Sequence, residues 1–303
     1  MKIGLGLPID DPALLLTWAR RADAGPFSTL GLLDRLVFGN PEPLVTLAAV
    51  AGATSRIRVQ TEVLIAPVHR TALLAKQTAT LDRISGGRFT LGVGVGGRDD
   101  DFLAAGVDPR RRGRRLDEQM ALLRRLWAGE PYGEGAASIG PAPLTPGGPE
   151  VLFGGFTPAA LERVGRFGDG FLGAALAPNH LDGLFRQVED VWERYDRPGR
   201  PRLVAQISVA LGPQDTVDRA RRNLLDYYAF TGRAAYMADG LLTTPRTIGA
   251  AVADLAGIGA DEVVLYCWAP DPEQVDRLAE VVSQPLPAQG YVKIRTKGDP
   301  GTV

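Results

Sequence analysis

The sequence predicts an α/β fold, a TIM (β/α)8 barrel, in which eight parallel strands, each followed by a helix, close into a ring. Two observations predict it. Short runs rich in leucine and β-branched residues alternate with longer stretches of helical periodicity, and eight such units occupy residues 1–284 of the 303. The runs lack strict polar alternation, as expected for parallel strands that are buried on both faces. We therefore predict one barrel domain over residues 1–284 and a C-terminal tail without periodicity at 285–303.

The elements follow one another in the order that this fold requires. Each strand is a short apolar run, and each helix is a stretch whose apolar residues recur at helical spacing. The strands are predicted at 2–7, 28–33, 57–65, 89–95, 151–153, 170–174, 203–211 and 262–266. The helices are predicted at 12–24, 42–54, 72–84, 111–127, 158–166, 181–194, 216–230, 246–256 and 272–282.

Two segments interrupt this alternation and are predicted as insertions after the fourth and the seventh strand. Residues 129–150 (GEPYGEGAASIGPAPLTPGGPE) are rich in proline and glycine, and residues 232–245 follow a helix that ends in aromatic residues. The active sites of such barrels lie at the C-terminal ends of the strands, where insertions shape the pocket. We therefore expect both segments to define the substrate.

Composition excludes several classes of partner. Lys and Arg total 34 against 35 Asp and Glu, which gives no electrostatic reason to expect nucleic acid or an anionic membrane. The basic run at 110–115 (RRRGRR) leads into an amphipathic helix without interleaved aromatic residues, so we interpret it as a solvated helix start. A single cysteine, Cys267, excludes an internal disulfide, and His69 and His180 leave little for a metal cluster. Without a signal peptide or a long apolar run, a metal-free cytoplasmic protein is expected.

A glycine run follows the fourth predicted strand. Gly92, Gly94 and Gly97 match the dinucleotide-binding pattern, and Asp117 lies where that pattern places its ribose-binding acid. However, Asp117 falls within a predicted helix, and three complete β/α units precede the glycines. One alternative is that the glycines let a flat ring or a phosphate approach the end of a barrel strand. A purely structural tight turn is the other.

Several stretches together resemble the luciferase-like monooxygenase family, the bacterial luciferase-like flavin- or F420-dependent oxidoreductases. They include LGLLDR, EPLVTLAAVAGATSRIRVQTEVL, ALLAKQTATLDRISGGRFTLGVGVG and VLFGGFTPAALERVGRFGDGFL. The resemblance implies a barrel that binds a reduced flavin or deazaflavin at the C-terminal strand ends and acts on a small organic substrate. It leaves open a monooxygenase that uses reduced FMN and a hydride-transfer enzyme that uses coenzyme F420. It also leaves open a flavin-binding barrel with little or no catalysis.

The resemblance further implies which residues would bind the cofactor. The phosphate site resembles a strand end followed by a helix start, where backbone amides and a threonine hydroxyl suit a phosphate; its residues are Gly154, Gly155, Phe156 and Thr157. The ring site resembles three strand ends, with residues Asp34, Arg35, Leu64, Ile65, Ala66, Gly94, Val95 and Gly96. In many relatives the end of the third strand carries a backbone bulge, often with a cis peptide, and the stretch 63–67 (VLIAP) is where we expect it. The resemblance places Val95 where the luciferase branch of the family has an arginine for the FMN phosphate. The lack of that arginine here weakens the expectation of FMN.

Three residues are candidates for catalysis. Asp34 and Arg35 end the second strand, and Arg35 stands where many relatives carry a histidine that donates a proton. Arginine is not a general base near neutral pH, but it can hold a substrate anion or stabilise a developing negative charge. Glu62 lies within an apolar strand, and burying an unpaired carboxylate is costly. We expect Glu62 either to pair with an arginine inside the barrel or to be a perturbed acid near the flavin.

The remaining candidates would form the substrate pocket. They share a position after a strand or within a predicted insertion, and most are apolar or aromatic: Phe38, Arg98, Tyr227, Tyr228, Met237 and Trp268. The loop residue His69 follows the third strand and could reach the same pocket. By resemblance alone, we also expect a homodimer or higher homo-oligomer and a separate flavin or F420 reductase as possible partner.

Overall fold

A computed structural model describes residues 1–8 and 11–284, so the predicted tail at 285–303 lies outside the described residues. All strand pairs in this part of the chain are parallel, and a contact between β3 and β5 closes the sheet into a ring with the order β3-β2-β1-β9-β8-β7-β6-β5-β4. The strands are β1 (Lys2–Gly6), β2 (Thr29–Leu32), β3 (Arg58–Thr61), β4 (Leu64–Ile65), β5 (Phe89–Gly94), β6 (Glu150–Phe153), β7 (Gly170–Leu172), β8 (Arg202–Val209) and β9 (Glu262–Cys267). Because β3 and β4 are two parts of one barrel strand, the predicted TIM (β/α)8 barrel is confirmed.

All of the predicted helices are present, with ends that differ from the prediction by a few residues. The helices are α1 (Pro12–Ala24), α2 (Pro43–Ala53), α3 (Thr71–Ile84), α4 (Asp99–Ala104), α5 (Arg112–Trp127), α6 (Pro158–Phe167), α7 (Pro178–Arg194), α8 (Gln214–Tyr228), α9 (Ala234–Asp239), α10 (Pro245–Gly257) and α11 (Glu273–Val282). The short helices α4 and α9 are additional to the prediction. No helix in the described ranges is long and apolar enough to cross a membrane.

Side-chain caps explain where several helices begin. Asp11 accepts a hydrogen bond from the Ala13 amide at 2.9 Å and starts α1, and Glu42 accepts one from the Val45 amide at 2.6 Å and starts α2. Thr157 and Thr244 cap α6 and α10 in the same way, each directly before a proline in the first turn. The first turn of a helix leaves its amides without partners inside the helix, so a proline there loses no hydrogen bond. A cap residue followed by proline is therefore a local sequence signal for the start of a helix.

Inside the barrel, glycines on some strands make room for large side chains from others. The Tyr266 ring lies over Gly6, where a Cβ would come within 2.1 Å of it. The Glu62 carboxyl group lies over Gly31, where a Cβ would come within 2.0 Å of the carboxyl carbon. A side chain at either glycine would therefore displace a residue that the barrel interior holds in place.

The predicted insertion at 129–150 lies at the opposite end of the barrel from the expected pocket. Its backbone accepts hydrogen bonds from Lys76 and Arg124, at Gly140 and Gly147, and the Thr145 amide donates to Asp82 at 2.7 Å. Asp82 lies in the last turn of α3, and the segment itself follows the end of α5. Helix ends of a β/α barrel lie beside the N-terminal ends of the strands. The expectation that this segment defines the substrate is therefore wrong.

The insertion after the seventh barrel strand is larger than predicted. After β8, the chain forms α8 and α9 and then returns to the strand, where Leu242 pairs in parallel with Val209. Only the following helix, α10, takes the place of a barrel helix, since it packs against α7 and α11 while α8 packs against α9. The whole segment from α8 to α9 thus covers the C-terminal ends of the strands.

Candidate active site

The glycine run packs against the interrupted third strand. Its glycines alternate along β5 and the following loop with the two-residue period of a strand, and each faces one residue of the 61–65 segment. The facing pairs, with the distance that a Cβ on the glycine would leave, are Gly92 with the Thr61 carbonyl oxygen (2.0 Å), Gly94 with Val63 Cγ2 (2.6 Å) and Gly96 with Ile65 Cγ2 (2.7 Å). Gly96 also has a φ of +74°, which disfavours other residues. These glycines therefore let two strand ends approach each other.

The dinucleotide interpretation has no structural support. Asp117 lies on α5 and accepts a hydrogen bond from Arg163 Nε of α6 at 2.7 Å. The glycines end the fourth barrel strand rather than the first strand of a βαβ unit. The chain thus lacks the context in which this pattern binds a pyrophosphate.

Asp34 holds the end of the third strand in place. The peptide bond between Glu62 and Val63 is cis, at the first residue of the expected 63–67 stretch, and it separates β3 from β4. Asp34 Oδ2 accepts a hydrogen bond from the Ile65 amide at 2.8 Å, and His69 Nε2 lies 4.0 Å from the same oxygen. Asp34 thereby positions the backbone of Leu64, Ile65 and Ala66, the segment that resembles the family's ring support.

The start of α6 forms a loop of available backbone donors. Gly155 has a φ of +143°, and a Cβ there would come within 2.6 Å of Ala160 Cβ. Thr157 accepts from the Ala160 amide at 3.3 Å and caps the helix. Within the described residues, the amides of Gly155, Phe156 and Thr157 have no hydrogen-bond acceptor. Amides at a helix N-terminus that lack partners suit a phosphate group, because the helix dipole favours negative charge there.

Glu62 lies inside the barrel and pairs with amides instead of an arginine. Its side chain is buried, with Oε1 accepting from Gln60 Nε2 at 2.9 Å and Oε2 from Gln206 Nε2 at 3.1 Å. No arginine of the described ranges lies within ion-pair distance, so the expected arginine partner is wrong. Burial raises the pKa of Glu62 from 4.5 to about 8. The other expectation, a perturbed acid near a flavin, stays a prediction, and the burial of Glu62 supports it.

Arg35 is buried in an aromatic enclosure above the strand ends. Its guanidinium carbon lies 4.9 Å from the ring centres of Phe38 and Tyr227 and 5.0 Å from that of Phe230. Its Nη1 donates to the Tyr227 carbonyl oxygen at 3.1 Å, whereas Nε and Nη2 have no hydrogen-bond partner among the described residues. Burial lowers the pKa of Arg35. Arg35 is thus a buried cation, two of whose nitrogens make no hydrogen bond within the described residues.

Asp101 of α4 is a site residue that the sequence did not reveal. Its Oδ1 accepts from the amides of Leu36 and Val37, at 3.0 and 2.7 Å, and fixes the loop that carries Arg35. Its Oδ2 lies 3.5 Å from Arg35 Nε. The available signal was the run DDD at 99–101 after the glycines, but α4 has only six residues and too little periodicity to show which aspartate faces inwards.

The other pocket candidates converge under the α8–α9 segment. Tyr227 lies 5.5 Å from Trp268 and 5.5 Å from Phe38, between ring centres, and Tyr228 lies 5.9 Å from Trp268. Met237 packs against the same apolar cluster. Burial raises the pKa of Tyr228 to about 12, so its phenol stays protonated near neutral pH. These rings form an apolar wall over the strand ends. Arg98 lies at its edge, with Nε donating to Asp100 at 2.8 Å.

The thiol of Cys267 is placed away from chemistry. Cys267 is buried, and burial raises its pKa, which disfavours the nucleophilic thiolate. No group of three or more potential metal ligands is found in the described part of the chain.

Known proteins share sequence similarity with this chain. Residues 3–265 match the family described as luciferase-like monooxygenase. An uncharacterised protein of Mycobacterium tuberculosis is 33% identical over 171 residues, 54% of this chain and 60% of that protein. An FMNH2-dependent dimethylsulfone monooxygenase of Pseudomonas putida is 28% identical over 201 residues, 63% of this chain and 54% of that protein. The chain therefore spans less than two thirds of the length of these curated relatives.

Two solved structures share the fold at low sequence identity. The monooxygenase RslO1 of Streptomyces bottropensis has a TM-score of 0.78 at 22% identity, covering 93% of this chain and 98% of that one. An F420-dependent secondary alcohol dehydrogenase, solved with an F420–acetone adduct, has a TM-score of 0.76 at 19% identity, covering 93% and 99%. Since the family match extends over residues 3–265 and the barrel is the one found in these structures, the protein belongs to the luciferase-like monooxygenase family.

Proposed function

We propose that the protein is an oxidoreductase that binds a reduced flavin or deazaflavin at the C-terminal ends of its strands and oxidises or reduces a small organic substrate. One observation carries this proposal. The amide loop at Gly155–Thr157 follows β6 and the 64–66 segment held by Asp34 belongs to β4, and both lie at the same end of the barrel, on the two strands that flank β5. They pair a phosphate site with a flat backbone surface, the two features that a flavin-type cofactor needs.

The residues that would hold the cofactor fit either candidate. The phosphate would accept hydrogen bonds from the Phe156 and Thr157 amides, and the ring would lie against Leu64–Ala66 beside Gly94–Gly96. Relatives supply both options, since one is FMNH2-dependent and a structural neighbour is F420-dependent. A bound reduced FMN would supply oxygen activation, and F420 would supply hydride transfer. We propose one of these two cofactors, regenerated by a separate reductase.

The chain's own side chains would supply a proton and a positive charge, and they would exclude water from the site. Glu62, neutral below about pH 8, can hold a proton beneath the ring segment. Gln206 can turn its amide to accept from the protonated acid or donate to the carboxylate. Arg35 can stabilise negative charge that develops on a substrate oxygen. The α8–α9 segment, with Tyr227 and Tyr228, excludes water from the strand ends.

The first test is titration of the purified protein with FMN and with F420, each oxidised and reduced, monitored by ligand absorbance and fluorescence. We expect one of the two to bind with one site per chain. Binding of neither would overturn the proposal. Binding without oxidation or reduction of any tested substrate would favour the non-catalytic flavin-binding barrel instead.

Two threonines provide a matched pair for the phosphate contact. Thr157→Ala should weaken binding of the phosphate-bearing cofactor by about tenfold, the effect of one hydrogen bond to a charged group. Thr244→Ala removes an equivalent helix cap from α10 and should leave affinity unchanged. Equal effects of the two variants would mean that Thr157 acts only as a cap.

A further inference from the structure

We infer that Arg35 and Asp101 form a subsite for the hydroxyl group of a small, ring-bearing alcohol. The inference rests on the proposed function only in that this alcohol would be the substrate of the oxidoreductase. The two side chains are almost completely buried, at 4% and 1% exposure. Arg35 lies in the loop after the second barrel strand and Asp101 in α4 after the fourth, at the same end of the barrel as the proposed cofactor site.

The pair holds three polar atoms that make no hydrogen bond among the described residues. They are Arg35 Nε, Arg35 Nη2 and Asp101 Oδ2. The remaining polar atoms of both side chains are occupied, since Arg35 Nη1 donates to Tyr227 and Asp101 Oδ1 accepts from two backbone amides. Burying such atoms unpaired is costly. Nε and Oδ2 face each other as an ion pair at 3.5 Å without a hydrogen bond, so a ligand group that donates to Oδ2 and accepts from the guanidinium would satisfy atoms that the protein leaves unbonded.

This combination selects one class of polar group. A hydroxyl group accepts from Arg35 and donates to Asp101, so it satisfies both sides. A ketone oxygen accepts from Arg35 but leaves Asp101 Oδ2 unpaired, and a site built for a hydroxyl discriminates strongly against ligands that lack the donor. A carboxylate would meet the negative charge of Asp101. Arg98 adds no net positive charge, because it pairs with Asp100.

The walls of the subsite select an aromatic or similarly flat body. Phe38, Tyr227 and Phe230 surround the Arg35 guanidinium. Phe230 is 44% exposed and lies between the guanidinium groups of Arg35 and Arg98. Its ring is the most exposed of these three walls, so we expect a ligand to enter past it. Apolar rings on the other sides favour a ligand with little polarity beyond its hydroxyl group.

Three probes of similar size test the subsite: 1-phenylethanol, acetophenone and benzoate. Binding is measured by isothermal titration calorimetry, on the protein as purified and again after saturation with whichever cofactor binds. The wild-type protein should bind 1-phenylethanol at least about tenfold more tightly than acetophenone, with benzoate weakest. Equal affinity for the alcohol and the ketone in both states would overturn the inference.

Asp101→Asn is the decisive variant. Asparagine Oδ1 can still accept from the Leu36 and Val37 amides, but an amide group replaces the acceptor beside Arg35, whose charge is then unpaired. We expect alcohol affinity to fall by about tenfold and benzoate to become the tightest of the three probes. Asp99→Asn is the matched control and should preserve the wild-type order, because Asp99 is an exposed carboxylate of the same short helix that forms no ion pair among the described residues. An unchanged order in Asp101→Asn would also overturn the inference.

Two further measurements separate failure of the inference from other failures. Arg35→Lys keeps the positive charge without the paired N–H groups, so it should lower the preference for alcohol over ketone even if Asp101→Asn does not fold. A preference unchanged in Arg35→Lys contradicts the subsite. Cofactor titration is independent of these probes, so a protein that binds FMN or F420 but shows no alcohol preference retains the proposed function and loses only the inference.

Discussion

At the N-terminal end of the barrel interior, Arg202 contacts two carboxylates, Glu150 at 2.5 Å and Glu262, whereas at the C-terminal end Glu62 has only amide partners. The N-terminal network extends to Arg58, which lies 3.3 Å from Glu150. Each charge there faces an opposite charge. At the C-terminal end, Arg35 and Asp101 also face each other, but they leave hydrogen-bonding atoms unused.

This difference indicates that charged groups at the N-terminal end of the barrel serve stability, whereas those at the C-terminal end serve binding and chemistry. Paired charges at the N-terminal end are satisfied by the protein itself and have no capacity left for a ligand. Incompletely paired groups at the C-terminal end keep a shifted pKa and free donors, the properties that functional sites need. We therefore expect changes at the N-terminal end to alter mainly folding, and changes at the C-terminal end to alter mainly binding or titration.

The largest expected effect is that of Arg202→Met. Removing this cation leaves Glu262 buried and Glu150 with a weaker partner, and loss of one member of a buried ion pair typically costs several kcal/mol. We expect the free energy of unfolding to fall by about 3 kcal/mol at neutral pH, measured by urea denaturation. Cofactor affinity of the folded fraction should not change.

A loss of less than about 1 kcal/mol in the free energy of unfolding of Arg202→Met would contradict this comparison. The N-terminal ion pairs would then contribute no more to stability than surface pairs do. Arg194→Met is a suitable control, since it removes an exposed arginine that pairs with Glu162 at 2.7 Å. Its effect should be small.

Glu62→Gln should have an intermediate effect that depends on pH. The wild-type carboxyl group has a folded pKa of about 8 against an ordinary 4.5, so the folded state keeps a proton that the unfolded state releases. Wild-type stability should therefore fall as pH rises from about 4.5 to 8, by up to about 1.4 kcal/mol per unit, while the glutamine variant does not titrate there. We expect the variant to match the wild type near pH 4.5 and to exceed it by about 2 kcal/mol or more at pH 8.

Urea denaturation of both proteins at several pH values checks this expectation. Glu118→Gln changes an exposed carboxylate that pairs with Arg114 on the same helix, and its difference from the wild type should vary little with pH. A constant difference between Glu62→Gln and the wild type across the range would show that Glu62 is ionised in the folded protein.

The barrel could be predicted from the sequence because the patterns that indicate its strands and helices are local. Strand and helix periodicities, and caps such as Asp11 and Thr157, lie within a few residues of the elements that they define. The position of the 129–150 segment was mispredicted because a loop after a helix returns to the N-terminal end of the strands, whatever its composition. The size of the α8–α9 insertion was also underestimated, since α8 has the same periodicity as a barrel helix and only its packing distinguishes it.

The site was only partly predictable because its contacts cross the barrel. Glu62 was recognised as unusual, but its partner Gln206 is 144 residues away and reaches it only across the closed ring. The pairing of Arg35 with Asp101 depends on a short helix that turns one of three consecutive aspartates inwards. Residue type therefore indicated which groups were unusual, and only the fold could show which partners they have and which they lack.

The smallest expected effect is that of Arg98→Gln, which compares a surface pair with the buried pair beside it. Arg98 and Asp100 pair at the rim, where Asp100 is 39% exposed and solvent screens the charges. We expect a loss of about 0.5 kcal/mol or less in the free energy of unfolding at physiological salt. Because Arg98 also contacts the Phe230 ring, 1-phenylethanol should bind and dissociate faster in the variant with little change in affinity, which stopped-flow measurements can resolve. A large loss of affinity would instead place Arg98 within the subsite and extend it from Arg35 to the rim.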